Sequence, residues 1–190
     1  MKLQRIRDIT AVGLGGEHLT LRAQAGRVHE GGALVLVQSG VVLRSLPEVP
    51  GERSRFVDIM SAGQGAWLSG PTRLLAVTES ASLVRFDAVV DPAAGFEVLA
   101  HASARVDALC DIRAREETLG RVHRLLELLA DEHGRCPPIM QRDIAALLWT
   151  RHESVCRAIA GLRRLRRVQW SADGATLQGK SATRAAAAAR

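Results

Sequence analysis

The spacing of apolar residues changes once, at Asp91-Pro92, and that change decides what the chain can build. Before it, apolar residues come in short runs at 19–21, 33–37, 41–43, 56–59, 74–77 and 83–86. Turn residues separate the runs: Gly31-Gly32, Ser39-Gly40, the stretch 47–51, Gly63-Gln64-Gly65 and Ser69-Gly70-Pro71. Many short strands with Gly and Pro turns predict a β-barrel or jelly roll over residues 1–90. After Asp91-Pro92 the apolar residues recur every three or four positions, which is the period of a helix.

The first helical stretch, 91–116, carries Phe96, Leu99, Ser103, Val106 and Cys110 at alternating intervals of three and four. That is the seam of a helix pair, and it predicts dimerisation. The competing reading is one amphipathic helix packed on its own barrel. A second helix, 117–132, has Leu119, Val122, Leu125, Leu126 and Leu129 on one face, with His133-Gly134 as its stop. Past Pro137-Pro138 a short helix is expected at 141–148, then a break at Trp149-Thr150-Arg151, then a helix at 152–166. Val155, Ile159 and Leu162 face inward on the last helix, while Glu153, Arg157 and Arg164 face outward with Cys156 beside them. Val168-Gln169-Trp170, a turn at Ala172-Asp173-Gly174, and Thr176-Leu177-Gln178 read as a β-hairpin. Helix, tight turn, helix and hairpin is the order of a winged helix-turn-helix. The expected class is therefore α+β. An N-terminal jelly-roll β-barrel (1–90) leads through a long dimerisation helix (91–116) to a C-terminal winged helix-turn-helix (117–179), with a flexible tail at 180–190.

Charge is distributed as unevenly as period. Residues 1–110 carry 11 Lys/Arg and 11 Asp/Glu, whereas residues 111–190 carry 15 and 9, so the whole net charge of +6 lies in the last 80 residues. Such a split predicts a neutral module followed by one that meets a polyanion, against the plainer reading of a solvated basic face. Within it, 151–167 holds six Arg and the single acid Glu153. Tyr is absent and Trp and Phe total six, so base stacking on aromatics is poorly served; Arg suits duplex backbone and groove edges better. No run approaches the roughly 18 apolar residues of a membrane helix, and the charged start, residues 1–8, lacks a signal-peptide core. A cytoplasmic protein with no membrane partner is expected. Cys110, Cys136 and Cys156 are read as reduced thiols. His133 and Cys136 form an isolated pair with no second pair to complete a metal site, so neither metal nor cofactor is expected. Gly13-Leu14-Gly15-Gly16 and Gly63-Gln64-Gly65 lack the rest of a nucleotide-loop motif and read as turns.

Asp143-Ile144-Ala145-Ala146-Leu147, followed by 150–159 and Leu162, resembles the helix-turn-helix of the Crp/Fnr family of bacterial transcription regulators. The core Glu-x-Val-x-Arg stands here as Glu153, Val155 and Arg157, and the order of barrel, long helix, second helix and winged helix also matches. Trp149 replaces the family's turn Gly, His152 the Arg before the motif Glu, and Met140 the threonine near the start of the first helix. The resemblance implies a homodimer on double-stranded DNA at an imperfect palindrome, with RNA polymerase as a further partner. Arg157 would pair with guanine O6/N7 and Glu153 with a cytosine amino group; residues four apart share a helix face. A mere surface salt bridge between the two is the alternative. Arg142, Arg151, His152, Arg163 and Arg164 would hold phosphates.

In cyclic-nucleotide-binding members of the family, a Glu and an Arg-Ser pair follow the barrel glycine. The corresponding stretch here, Gly65 to Arg73, has no acid after Gly65 and has Gly70-Pro71 where Arg-Ser would stand, with Arg73 the nearest substitute cation. A regulator independent of cyclic AMP is therefore expected. The rival is a ligand- or partner-binding module whose helix-turn-helix no longer reads DNA. A cupin-like enzyme needs clustered His and Glu ligands, and the β region offers only His18 and His29. No enzyme is expected.

Overall fold

The computed structural model describes residues 16–22, 26–46, 56–87, 91–171 and 174–178. The glycines at 13–15, the stretch 47–51, the hairpin tip at 172–173 and the tail at 180–190 lie outside the described residues. Two compact units divide the chain, Met1–Ala108 and Leu109–Arg190.

Among the described residues the first unit has eight strands: β1 (Glu17–Arg22), β2 (Gly26–His29), β3 (Ala33–Ser39), β4 (Val41–Ser45), β5 (Phe56–Ser61), β6 (Gly65–Leu68), β7 (Thr72–Ala76) and β8 (Ser80–Phe86). They make two antiparallel four-stranded sheets ordered β1-β8-β3-β6 and β2-β7-β4-β5. First pairs with eighth, second with seventh, third with sixth and fourth with fifth. This nesting is one long hairpin rolled over on itself, the double-sheet jelly roll. Leu19, Leu21, Val35, Val37, Leu68 and Leu83 from one sheet meet Val42, Met60, Leu74 and Ala76 from the other in a single core.

Two strands stand where the sequence shows no apolar run. β2 is an edge strand whose Val28 is 63% exposed while His29 is buried, so its polarity alternates the wrong way round. β6 begins at Gly65, which reads as part of a turn. Only Gly63 turns, with φ 80°. Gly65 lies in the sheet opposite Leu36, and the position requires glycine because a Cβ there would come within 2.5 Å of the Val35 carbonyl oxygen and 2.9 Å of Val98.

Helix α1 (Pro92–Ala114) leaves the barrel along its own wall. Val98 packs on Leu34, Leu36, Val84 and Phe86. Two turns later Arg105, buried, reaches Asp58 of β5. Its Nε donates to Oδ1 at 3.0 Å and its Nη2 to Oδ2 at 2.8 Å, and Nη2 also donates to the Gly65 carbonyl of β6 at 2.9 Å. Arg105 thus ties α1 to the edges of both sheets. Arg44, opposite Asp58 in the β4–β5 register, has its Nε 3.9 Å from the same carboxylate. Burial, more than the neighbouring Arg105, pulls its pKa down, and Asp58 opposes that.

The second unit takes the end of α1 and adds α2 (Thr118–Leu129), α3 (Gln141–Leu147), α4 (His152–Arg164), β9 (Val168–Ser171) and β10 (Gly174–Leu177). α4 packs against α2 and α3, and β9 and β10 pair antiparallel. Leu109, Val122, Leu125, Leu126, Ile144, Leu147, Val155 and Leu162 are fully buried in this unit. α2 stops at Leu129, short of the expected 132. Ala130 is extended, and the Asp131 carboxylate accepts the amides of His133 and Arg135, both at 2.8 Å, turning the chain. Gly134 does hold a left-handed φ of 77°, but inside that loop rather than as the helix cap. α4 ends at Arg164 instead of 166, and Arg166 is left-handed. Among the described residues no helix is long and apolar enough to cross a membrane.

Candidate nucleic-acid interface

The helix-turn-helix starts with a buried acid. Asp143, in the first turn of α3, accepts a hydrogen bond from the Met140 backbone. This is half of a capping box, supplied from the third helical position because Met140 offers no side-chain cap. Burial pushes the Asp143 pKa up; Arg142 and the Met140 hydrogen bond oppose the rise.

Between α3 and α4 the chain turns at Trp149, whose φ is 51°. Thr150 N–H donates to the Ala145 carbonyl at 2.9 Å, and Ser154 and Val155 N–H donate to the Arg151 carbonyl at 3.1 and 3.2 Å. The expected break is therefore a tight hydrogen-bonded turn. α4 buries Val155, Ala158, Ile159 and Leu162 and leaves the other face to solvent. Glu153 lies in its first turn and Arg163 and Arg164 in its last, the signs that the helix dipole favours.

Glu153, Arg157, Ala160 and Arg164 share one exposed stripe of α4. No ion pair joins Glu153 to Arg157, so the salt-bridge reading has no contact behind it among the described residues. Beside the stripe, the Cys156 thiol donates to Gln141 Oε1 of α3 at 2.8 Å, and His152 Nε2 lies 3.5 Å from the same sulfur. The seven residues expected at DNA, Arg142, Arg151, His152, Glu153, Arg157, Arg163 and Arg164, are all exposed on this unit. Arg142 has its Nε 3.7 Å from Asp143 Oδ1. Arg151, His152, Glu153 and Arg157 gather at the start of α4. Arg163 and Arg164 stand about 15 Å further along its axis, at the rise of a regular helix.

Two contacts leave no mark in the sequence. Gln141 fixes Cys156 from the first turn of α3, and Arg113 lies over the Trp149 ring at 4.2 Å. Both join residues far apart in the chain. His133 and Cys136 do not act together: Cys136 is buried and donates to the Leu126 carbonyl at 3.2 Å, while His133 is exposed.

No family model and no curated protein sequence matches this chain. Solved structures do. FixK2 from Bradyrhizobium japonicum superposes with a TM-score of 0.70 at 16% identity, over 90% of this chain and 97% of its own. TTHB099, a CRP-family transcriptional regulator from Thermus thermophilus, gives 0.66 at 20% identity over 90% and 96%. The c-di-GMP-responsive global regulator CLP of Xanthomonas campestris gives 0.60 at 14% identity over 86% and 94%. The chain has the Crp/Fnr fold.

The stretch Gly65 to Arg73 is the one that the sequence resemblance sets against the phosphate cassette of cyclic-nucleotide-binding members. Here it is β6, a turn of three residues and the start of β7. Thr72 Oγ1 donates to the Gly70 carbonyl across the turn at 2.9 Å. Arg73 alternates with the buried Thr72 and Leu74 and so stands on the outer face of its sheet. The stripe Phe96, Leu99, Ser103, Val106 and Cys110 lies on the outer side of α1. Phe96 is 71% and Leu99 44% exposed, Ser103 and Cys110 are exposed, and Val106 is half-buried. The residues α1 buries are a different stripe: Val98, Ala102, Arg105, Leu109 and Ile112.

Proposed function

We propose that the protein is a cytoplasmic, non-enzymatic transcription regulator that binds double-stranded DNA in a sequence-specific way as a homodimer. The observation that carries this reading is the unbridged Glu153–Arg157 stripe on α4, presented by a helix-turn-helix in a chain of Crp/Fnr fold. A helix of this kind fits the major groove. Arg157 gives two parallel hydrogen bonds to guanine O6 and N7, and Glu153 accepts from a cytosine amino group. Arg142, Arg151, His152, Arg163 and Arg164 hold phosphates and so fix register without reading sequence.

The outer stripe of α1 pairs two chains. In this reading the barrel is 1–90, the dimerisation helix 91–116 and the DNA-binding domain 117–179. Two recognition helices then lie about one DNA turn, roughly 34 Å, apart, and the site is an imperfect palindrome. RNA polymerase is the further protein partner. The regulator works without cyclic AMP, because the cassette position holds a short turn and its nearest cation, Arg73, faces outward. Trp149 supports a working reader over a decayed one, since it keeps the left-handed turn that the missing glycine would supply.

A gel-shift experiment tests the reading. Arg157→Ala should weaken a specific duplex by about 1–3 kcal/mol while leaving random DNA nearly unchanged. Equal losses on both would reduce Arg157 to an electrostatic contact. A micromolar calorimetric isotherm with cyclic AMP or cyclic GMP would contradict the independence from cyclic nucleotides.

A further inference from the structure

The last turns of α1 belong to the second unit. Leu109 and Ile112 are buried there, and Arg113 follows them. Arg113 Nε donates at 2.7 Å to the carbonyl of Leu147, the last residue of α3, and its guanidinium lies 4.2 Å from the centroid of the Trp149 ring. A cation at a helix C-terminus meets unsatisfied carbonyls and the negative end of the dipole. An Arg over an indole face adds a cation–π contact. One side chain therefore holds both the end of α3 and the turn that aims α4.

Trp149 makes that contact from an unfavourable backbone. At φ 51° a bulky side chain is strained and glycine is relaxed. A turn that only had to bend the chain would be better served by glycine. The ring is still 53% exposed, so burial does not account for it. What the tryptophan provides and glycine cannot is a face for Arg113. Cys110, the last residue of the outer stripe, stands one helical turn before Arg113.

We infer that the Arg113–Trp149 stack is a positioning device that locks the aim of α4 to the end of α1, so that the two heads of a dimer accept one half-site spacing and reject others. This rests on the dimeric DNA-reading function proposed above and deepens it. The stack touches no base. It acts through the turn.

The experiment compares three duplexes: the preferred palindrome, the same half-sites with one base pair added at the centre, and a single half-site. The unaltered protein should bind the first far better than the second. Arg113→Ala and Trp149→Gly should each lose about tenfold of that preference, because simultaneous engagement no longer depends on a fixed geometry, while half-site affinity holds. Trp149→Gly keeps the turn, since glycine accepts its φ, so misfolding does not explain its loss. Retained spacing preference in both variants overturns the inference. So does an equal loss on the palindrome and the half-site, which would make the stack a support of the fold alone. Hydrogen exchange on the free protein gives an independent reading. Arg113→Ala should speed exchange at the amides from Thr150 to Val155 and leave those of α2 alone; unchanged exchange overturns the lock even if the protein binds DNA. Absence of specific binding by the unaltered protein, with the exchange result as expected, would instead overturn the DNA-reading function.

Discussion

Asp58 and Arg105 are charged side chains placed where charge is costly, and they are tolerable only as a pair. Removing Asp58 strands Arg105, and removing Arg105 leaves Asp58 only the longer contact to Arg44 at 3.9 Å. Arg105→Met or Asp58→Ala should cost about 3–5 kcal/mol in chemical denaturation, and the double replacement Asp58→Leu with Arg105→Met should recover most of it. A double variant no better than the worse single one would show that the pair is not the source of the loss. Neither residue is legible in the sequence. Asp58 interrupts the apolar run 56–59, Arg105 sits next to Val106 of the outer stripe, and 47 positions separate them. Asp143 is the opposite case, an acid whose folded state favours its protonated form. Its pKa is raised above 3.8, so its contribution is fully present at acid pH and is lost as pH rises through the raised value. Asp143→Asn should therefore raise the melting temperature at neutral pH by a few degrees, with the gain shrinking as pH falls toward 3.8. A gain that grows on acidification would contradict the buried charge. In α4, by contrast, the burial of Val155 and the exposure of Glu153 and Arg157 are plain in the sequence, because helical period alone separates the buried residue from the two exposed ones.

At the scale of elements, α1 has two stripes offset around one helix, an inner buried one and an outer one that is the proposed dimer seam. Periodicity shows the outer one clearly. It hides the inner one, Val98, Ala102, Arg105, Leu109 and Ile112, because an Arg breaks the apolar pattern at its centre. The inner stripe satisfies the packing of the helix on its own chain, which leaves the outer stripe available for a second copy. Phe96→Glu together with Leu99→Glu should then convert a dimer to single chains in analytical ultracentrifugation with the far-ultraviolet spectrum unchanged. An unchanged mass would place the dimer contact elsewhere. Strands β2 and β6 escape the apolar pattern for related reasons. An exposed edge strand and a strand that opens on a glycine both lack the alternation that marks a half-buried sheet. The stop of α2 falls earlier than its glycine suggests because a side chain, Asp131, caps the turn before the glycine is reached.

For the whole molecule, order of elements carries most of the reading: among the described residues, every helix and every barrel strand except β2 and β6 follows from apolar period and turn residues. The nesting of the strands into two sheets does not, because pairing between strands distant in the chain leaves no local mark. The basic excess of the last 80 residues concentrates on and just after α4. Binding should therefore weaken steeply with salt, with each phosphate contact adding about 0.9 to the slope of log affinity against log salt. Removing Arg164 should lower that slope by about one such step without changing the preferred sequence. The central claim is that α4 reads DNA sequence from a two-fold dimer. Selection of bound duplexes from a random pool with the purified protein tests it most directly. The expected result is an imperfect palindrome with half-sites about one helical turn apart and a G·C pair under Arg157; recovery of no enriched sequence, or of an unpaired single site, would contradict a dimeric reader.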